Sequence, residues 1–302
     1  MSAYVTAIIL AMAMGFMDRL YLLCSDYRNY PSYPHGYIIH LSLGAIAAAL
    51  AAIAIPALLE KEYTAITFLV LCAQQFRDIR NMERETLLKL EENQLVPRGT
   101  DYIEGIAKVF EARNYLVMLV ALVTCGGAIF INIWGGVVLG AVMIVLSRHL
   151  MSGKTIGQVA KIREGKLSFQ GPLLMVDDII IMNVGEEAVK QKILQEGIGV
   201  VLEPKDADAR ASLNNLGQRQ AILHDVAALV GSKAEIGEPA FTPMARKNVD
   251  SGAIGIYFLP NERDVACVLK AVSRTPLLES AILKPLATQI GREAAKEGEK
   301  NE

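Results

Sequence analysis

Residues 37–59 read YIIHLSLGAIAAALAAIAIPALL, a run without an aspartate, glutamate, lysine or arginine. At about 1.5 Å per helical residue it covers roughly 34 Å, enough to cross the ~30 Å hydrocarbon core of a bilayer. A helix on the surface of a water-soluble domain needs one polar face, and this run has none. Gly44, Ala48 and Ala52 recur along it at four-residue spacing. Lipid gives no hydrophobic drive for helix association, so helices in it meet across small residues, and this stripe is read as such a face.

Further apolar runs flank it. The first, residues 3–24, is broken near its end by Asp18-Arg19; no positive charge precedes it, so it reads as an uncleaved helix and not a signal peptide. The third, 63–76, is short and spans only by continuing through Arg77, whose long side chain can reach the headgroups. Residues 115–130 and a return run ending near 146 flank Asn132-Ile133-Trp134-Gly135-Gly136, a tight hairpin tip with Trp134 at an interface. Gly136 and Gly140 form a GxxxG in the return run; we expect it to pack helices between subunits, because its hairpin mate is already held by the short connection. Five spans are expected in all.

Charge follows the same division. Residues 1–150 hold 11 Lys/Arg and 12 Asp/Glu, whereas 151–302 hold 19 and 20. The pattern is that of an α-helical membrane domain (1–150), with cytoplasmic amphipathic helices at 77–113, followed by a small cytoplasmic α/β domain (151–290) and a charged tail (291–302). A net charge of −2 argues against nucleic-acid binding, which needs a basic face. Arg77, Arg80, Arg84, Lys89, Arg98, Lys108 and Arg113 crowd the segment 77–113, against Lys61 alone in the opposing turns, so that segment is assigned to the cytoplasm. Five spans then put the N-terminus outside and the second domain inside.

Within that basic segment, Asp101 reads as an N-cap with Glu104 three residues on, and Ile103, Ile106, Ala107 and Phe110 form one apolar stripe. Tyr102-Ile103-Glu104-Gly105-Ile106-Ala107 spells YIEGIA, and the chain resembles the bacterial membrane-protein family named for that hexapeptide, in layout as well as in motif. The resemblance covers most of the chain. It implies endospore-forming bacteria, a sporulation or spore inner membrane, and a small soluble capping subunit as partner; it implies no reaction. On the residues alone, Ile103, Ile106 and Ala107 dock on a membrane surface or neighbouring helix, and Gly105 allows close backbone approach.

The second domain reads as alternating strands and helices. Residues 173–183 form a β-branched stretch turned at Asp177-Asp178, 186–196 are helical, and 198–202 are a buried strand. A long helix over 207–229 breaks at Gly217, 237–250 is an extended loop, 253–259 is a strand, and Asn261 caps a helix over 262–273. Such alternation implies a layer with right-handed crossovers.

The remaining motifs favour structural readings. Ser152-Gly153-Lys154-Thr155 resembles the end of a phosphate loop, but position 148 is Arg and no strand precedes it. Gly197-Ile198-Gly199 is a helix end running into a strand. His35, His40, His149 and His224 are dispersed, and Cys24, Cys72, Cys125 and Cys267 show no pairing, so neither a metal, a cofactor nor a disulfide is expected. Asp18-Arg19 allows two readings: a pair solvated by snorkelling at the cytoplasmic end of the first helix, or a buried pair lining a pathway or a subunit contact. Without a catalytic set, the expected function is a non-enzymatic, homo-oligomeric membrane protein whose cytoplasmic domain recruits a partner. The alternatives are an oligomeric channel or transporter, with Gln74-Gln75 on a polar path, or a membrane-tethered ligand sensor.

Overall fold

The computed structural model describes residues 4–23, 34–151 and 153–294; Cys24 and the charged tail from residue 295 lie outside the described residues. The chain forms two compact units, one from residues 1–86 and 106–152, the other from 87–105 and 153–302. The stretch 87–105 thus belongs to the second unit, which no single cut at residue 150 captures.

The helical elements are α1 (Val5–Leu23), α2 (Pro34–Leu59), α3 (Tyr63–Glu91), α4 (Thr100–Phe130) and α5 (Ile133–Leu150). Four of them are long and apolar enough to cross a membrane; α3 is not, which corrects the expected five apolar spans. In α3 the short third run is fused to the charged segment behind it, and Arg77, Asp78 and Arg80 follow directly on Phe76. Likewise the amphipathic piece and the fourth run form one helix, α4, with Asp101 inside its first turn and not at its cap.

Contacts within the first unit fix the direction of each helix. His40 lies edge-on to Phe110 and Cys125 Sγ donates to the Ala52 carbonyl, so α2 and α4 run parallel. Arg19 lies over Phe110 and Gly15 against Ala48 and Ala121, so α1 opposes both. Since α2 ends where α4 ends, α3 must run back along the bundle before α4 begins, and it does: Arg80 reaches Glu111 at 3.3 Å, level with Phe110. The 17 residue steps from Tyr63 to Arg80 cover about 26 Å. Asn132 caps α5 by accepting from Gly135 N at 2.7 Å, which makes the expected tight hairpin, with Trp134 exposed.

In the second unit Thr155 opens α6 (Ile156–Val159), followed by β1 (Ala160–Gly165), β2 (Leu167–Gln170), β3 (Leu173–Val176), β4 (Ile179–Asn183) and α7 (Glu187–Glu196). Then come β5 (Ile198–Pro204), α8 (Ala207–Leu213), α9 (Leu216–Val230), β6 (Met244–Lys247), β7 (Ile254–Phe258) and α10 (Val265–Arg274). One sheet has the order β1-β5-β7-β6 and the other β2-β3-β4, with every pairing antiparallel. This corrects the expected crossovers. β6 hides in what reads as a loop; by entering as a hairpin neighbour of β7 it reverses the chain direction that a helical crossover would have kept. The long helix breaks at Asn214-Asn215, not Gly217, and Asp264, not Asn261, caps α10 by accepting from Cys267 N.

The four-stranded sheet is covered on both faces. Ile198, Val200, Leu202, Ile254, Ile256 and Phe258 face Ile222, Val226, Val268 and Val272 of α9 and α10. Val201, Tyr257 and Leu259 face Leu174, Val176, Ile181 and Ile193 of the second sheet and α7. Double coverage is why residues 198–202 read as an uninterrupted apolar run.

Candidate functional site

The first unit buries a polar cluster at the Phe110 end of the bundle. Asp18 and Arg19 are both 0 % exposed, and His40, Arg113, Asn114 and Ser147 are buried as well. Arg19 Nε donates to the His40 carbonyl at 3.2 Å, and its Nη2 lies 3.0 Å from His40 Nδ1, which must accept. The guanidinium sits 5.6 Å from the Phe110 ring centre, a cation–π distance. Ser147 Oγ donates to Asp18 Oδ1 at 2.5 Å. Asp18 Oδ2 and Asn114 Oδ1 are buried with no hydrogen-bond partner among the described residues.

Asp18 and Arg19 are buried in the bundle and not solvated by snorkelling, and the partners His40 and Ser147 come from the same chain. Gln74 and Gln75 are exposed and take no part in the cluster. The small residues expected to pack helices all do so within the chain. A Cβ on Gly44 would come within 2.4 Å of Arg19 Cγ, so glycine is what lets the arginine stem lie against α2. Ala48 meets Gly15, the Ala52 carbonyl accepts from Cys125, Gly136 meets Ala128, and Gly140 meets Thr124 and Met14. The groove expected to receive another subunit is therefore filled by α1 and α4.

The hexapeptide is divided between the units: Tyr102, Ile103, Glu104 and Gly105 belong to the second, Ile106 and Ala107 to the first. Tyr102 Oη donates to Asp225 Oδ1 at 3.1 Å. The preceding loop is held on the same helix: His224 Nδ1 donates to the Val96 carbonyl at 2.7 Å, and Gln220 Nε2 to that of Pro97 at 2.5 Å. Gly217 is needed here, since a Cβ would fall 2.3 Å from an Asp101 carboxylate oxygen. Ile103, Ile106 and Ala107 are buried, as expected of a docking stripe. The expectation for Gly105 fails: a Cβ there would meet nothing within 4 Å, so no backbone approaches it. The Tyr102–Asp225 bond joins residues 123 positions apart, and no local pattern announces it.

Other motifs resolve structurally. Thr155 caps α6 in a capping box with Gln158, and no strand precedes it. Gly197 is the C-cap of α7. Asp177, at φ 53°, turns between β3 and β4, accepts from Lys166 N at 2.7 Å, and pairs with Arg163 at 2.6 Å. Among the described residues no group of three His, Cys, Asp or Glu has the placement of a metal site.

An apolar helical bundle with an ionic interior, joined to a doubly covered antiparallel sheet domain, defines an architecture for which no solved structure matches. The family model described as YIEGIA protein matches residues 7–288, and the chain belongs to that family. It is 45 % identical over 285 residues to the uncharacterized protein YphB of Bacillus subtilis (strain 168), an endospore former, covering 94 % of this chain and 96 % of that protein.

Proposed function

We propose that this chain is a non-enzymatic, homo-oligomeric integral protein of the sporulation or spore inner membrane, whose second unit recruits a small soluble partner in the cytoplasm. One observation carries the reading: the apolar helices of the first unit turn large apolar side chains outward and bury Asp18 and Arg19 inside. Ile9, Ile38, Val138 and Val145 are 61–72 % exposed, while Asp18 and Arg19 are 0 %. That inversion suits lipid and is untenable in water. The helix directions support five passes although only four helices are apolar throughout, because α3 must return along the bundle. With the basic segment inside, the N-terminus lies outside and the second unit in the cytoplasm.

An anchor suits the bundle better than a pore through one chain. The polar groups gather at one end, while Ala7, Ala11, Ala47, Ala51, Val117 and Ala121 pack the interior beyond them. A homo-oligomer in this reading is built through outward side chains such as those of α5, not through the glycines.

Cysteine labelling in intact cells, on a background without native cysteines, tests the topology. A cysteine at position 2 separates five passes from four: with Lys89 cytoplasmic, five passes expose position 2 to an impermeant reagent and four hide it, while a cysteine at position 132 is labelled in both and serves as the positive control. Affinity purification of the full chain from sporulating cells in mild detergent tests the platform: a small soluble protein should co-elute, and a chain that elutes alone as a single copy overturns it.

A further inference from the structure

Around the corner formed by α8, α9 and β6 the second unit gathers positive charge that no carboxylate among the described residues pairs with. Arg210 of α8, Arg219 of α9, and Arg246 and Lys247 of β6 have no carboxylate within ion-pair distance among the described residues. Lys161, Arg163, Lys190, Lys233 and Arg263 of the same unit each lie against one, whereas Lys166, Lys192, Lys205, Lys270, Arg274 and Lys284 do not, so it is the hollow beside these four cations that sets the corner apart. Of the acids nearby, Asp206 accepts from Ala209 N, Asp208 from Leu286 N and Asp178 from Asn248, and Asp250 meets Arg210 through its backbone carbonyl.

The corner is also hollow. Arg210, Asn214, Lys247, Asn248 and Gly252 line a space of about 280 Å³. Arg210 is held at its wall by donating to the carbonyls of Val249, at 3.4 Å, and Asp250, neutral acceptors that leave its charge uncompensated. Gly252, at φ 72°, shapes the turn beneath it: a Cβ would come within 2.4 Å of Arg210 Nε. Arg219 reaches the carbonyl of Asn214, a lining residue, and its Nε is buried without a partner among the described residues. Burial, and to a lesser degree the nearby Arg246, hold the Arg219 guanidinium below its usual value.

We propose that this hollow binds a phosphate-bearing small anion through a diphosphate group, with Arg210 and Lys247 as the direct contacts and Arg219 and Arg246 supplying further positive field. Guanidinium forks meet phosphate oxygens in pairs, and four cations match a multiply charged anion where a single carboxylate would neutralise only one. The inference does not depend on how the first unit meets a membrane.

Calorimetric titration of the detergent-solubilised full chain at low salt, with pyrophosphate, with ADP, and with sulfate at matched ionic strength, tests it. Saturable binding of pyrophosphate or ADP, stronger than that of sulfate, is expected. A tighter ADP complex assigns a nucleotide as the source of the diphosphate, and a tighter pyrophosphate complex assigns free diphosphate. The double variant Arg246→Gln/Lys247→Gln, both exposed and outside the packed core, should weaken binding by about tenfold or more. No binding beyond that of sulfate, an affinity unchanged in the double variant, or preference for polyglutamate over both phosphates each overturns the proposal.

Discussion

In the apolar helices of the first unit Asp18 and Arg19 lie inside and large apolar side chains outside; in the sheet unit β5 and β7 are apolar on both faces and ion pairs such as Arg163–Asp177 keep solvent. The contrast separates two kinds of arginine. Arg19 has no water and depends wholly on fixed partners, whereas Arg163 is 43 % exposed and keeps solvent beside Asp177 and Glu203. A buried charge left without its partner costs several kcal/mol, while an exposed pair contributes little. Ionic contacts of similar length therefore have unequal worth in the two units.

Removing Arg19 should give the largest effect. Arg19→Leu withdraws the donors to His40 and leaves the Asp18 carboxylate with Ser147, for a loss of about 3–5 kcal/mol. Thermal unfolding in detergent reads it, and a wild-type midpoint would mean that the cluster does not hold the bundle. Next comes Gly140→Leu, whose Cβ would meet Thr124 Oγ1 at 2.5 Å and Met14 Cε at 2.8 Å. Overpacking of this kind costs about 1–3 kcal/mol. The mass of the detergent-solubilised assembly should not change; a smaller assembly with unchanged unfolding would return the glycine face to a contact between copies.

The same contrast explains what the sequence made legible. Runs apolar on every side, 37–59 and 198–202, are readable because lipid or two packed layers surround them. β1 and β6 are edge strands that read AKIREG and MARK, their charges breaking the alternation that marks a half-buried strand, so neither was visible. Asp18 and Arg19 stood out as charges in an apolar run. Their partners did not, because His40 and Ser147 come from two other helices, and only the fold brings them together. Arg210, Arg219, Arg246 and Lys247 are as scattered.

A smaller, pH-dependent effect belongs to the sheet unit alone. Burial holds His224 below the ordinary histidine value of 6.5, an effect its bond to Val96 only partly offsets. Below pH 6.5 the unfolded chain takes up a proton that the folded one resists, so stability present above that pH is lost as pH falls toward the folded value. The loss is about 1.4 kcal/mol for each unit of depression. Hydrogen exchange of the α9 amides should accelerate on acidification, and His224→Gln should flatten that dependence; an equal slope in the variant assigns it elsewhere. Gly105→Ala should act in the opposite direction, stabilising α4 by up to about 1 kcal/mol, because a Cβ there meets open space and glycine weakens a helix interior. A destabilised Gly105→Ala protein would reveal a close contact at the hexapeptide.

The smallest change is expected from Arg163→Leu, although its two contacts, 2.6 Å to Asp177 and 2.6 Å to Glu203, are shorter than any that Arg19 makes to His40. Water competes for all three side chains, and the turn at Asp177 keeps its backbone support from Lys166 N without the arginine. The loss should stay below about 1 kcal/mol. Salt sharpens the comparison further. Raising ionic strength to about 1 M shrinks the screening length to roughly 3 Å, which should erase the difference between Arg163→Leu and the wild type. The Arg19→Leu deficit should persist unchanged, since no ions reach a site at 0 % exposure. If salt instead removes the Arg19 deficit and spares that of Arg163, the assignment of buried and exposed charge to the two units is reversed.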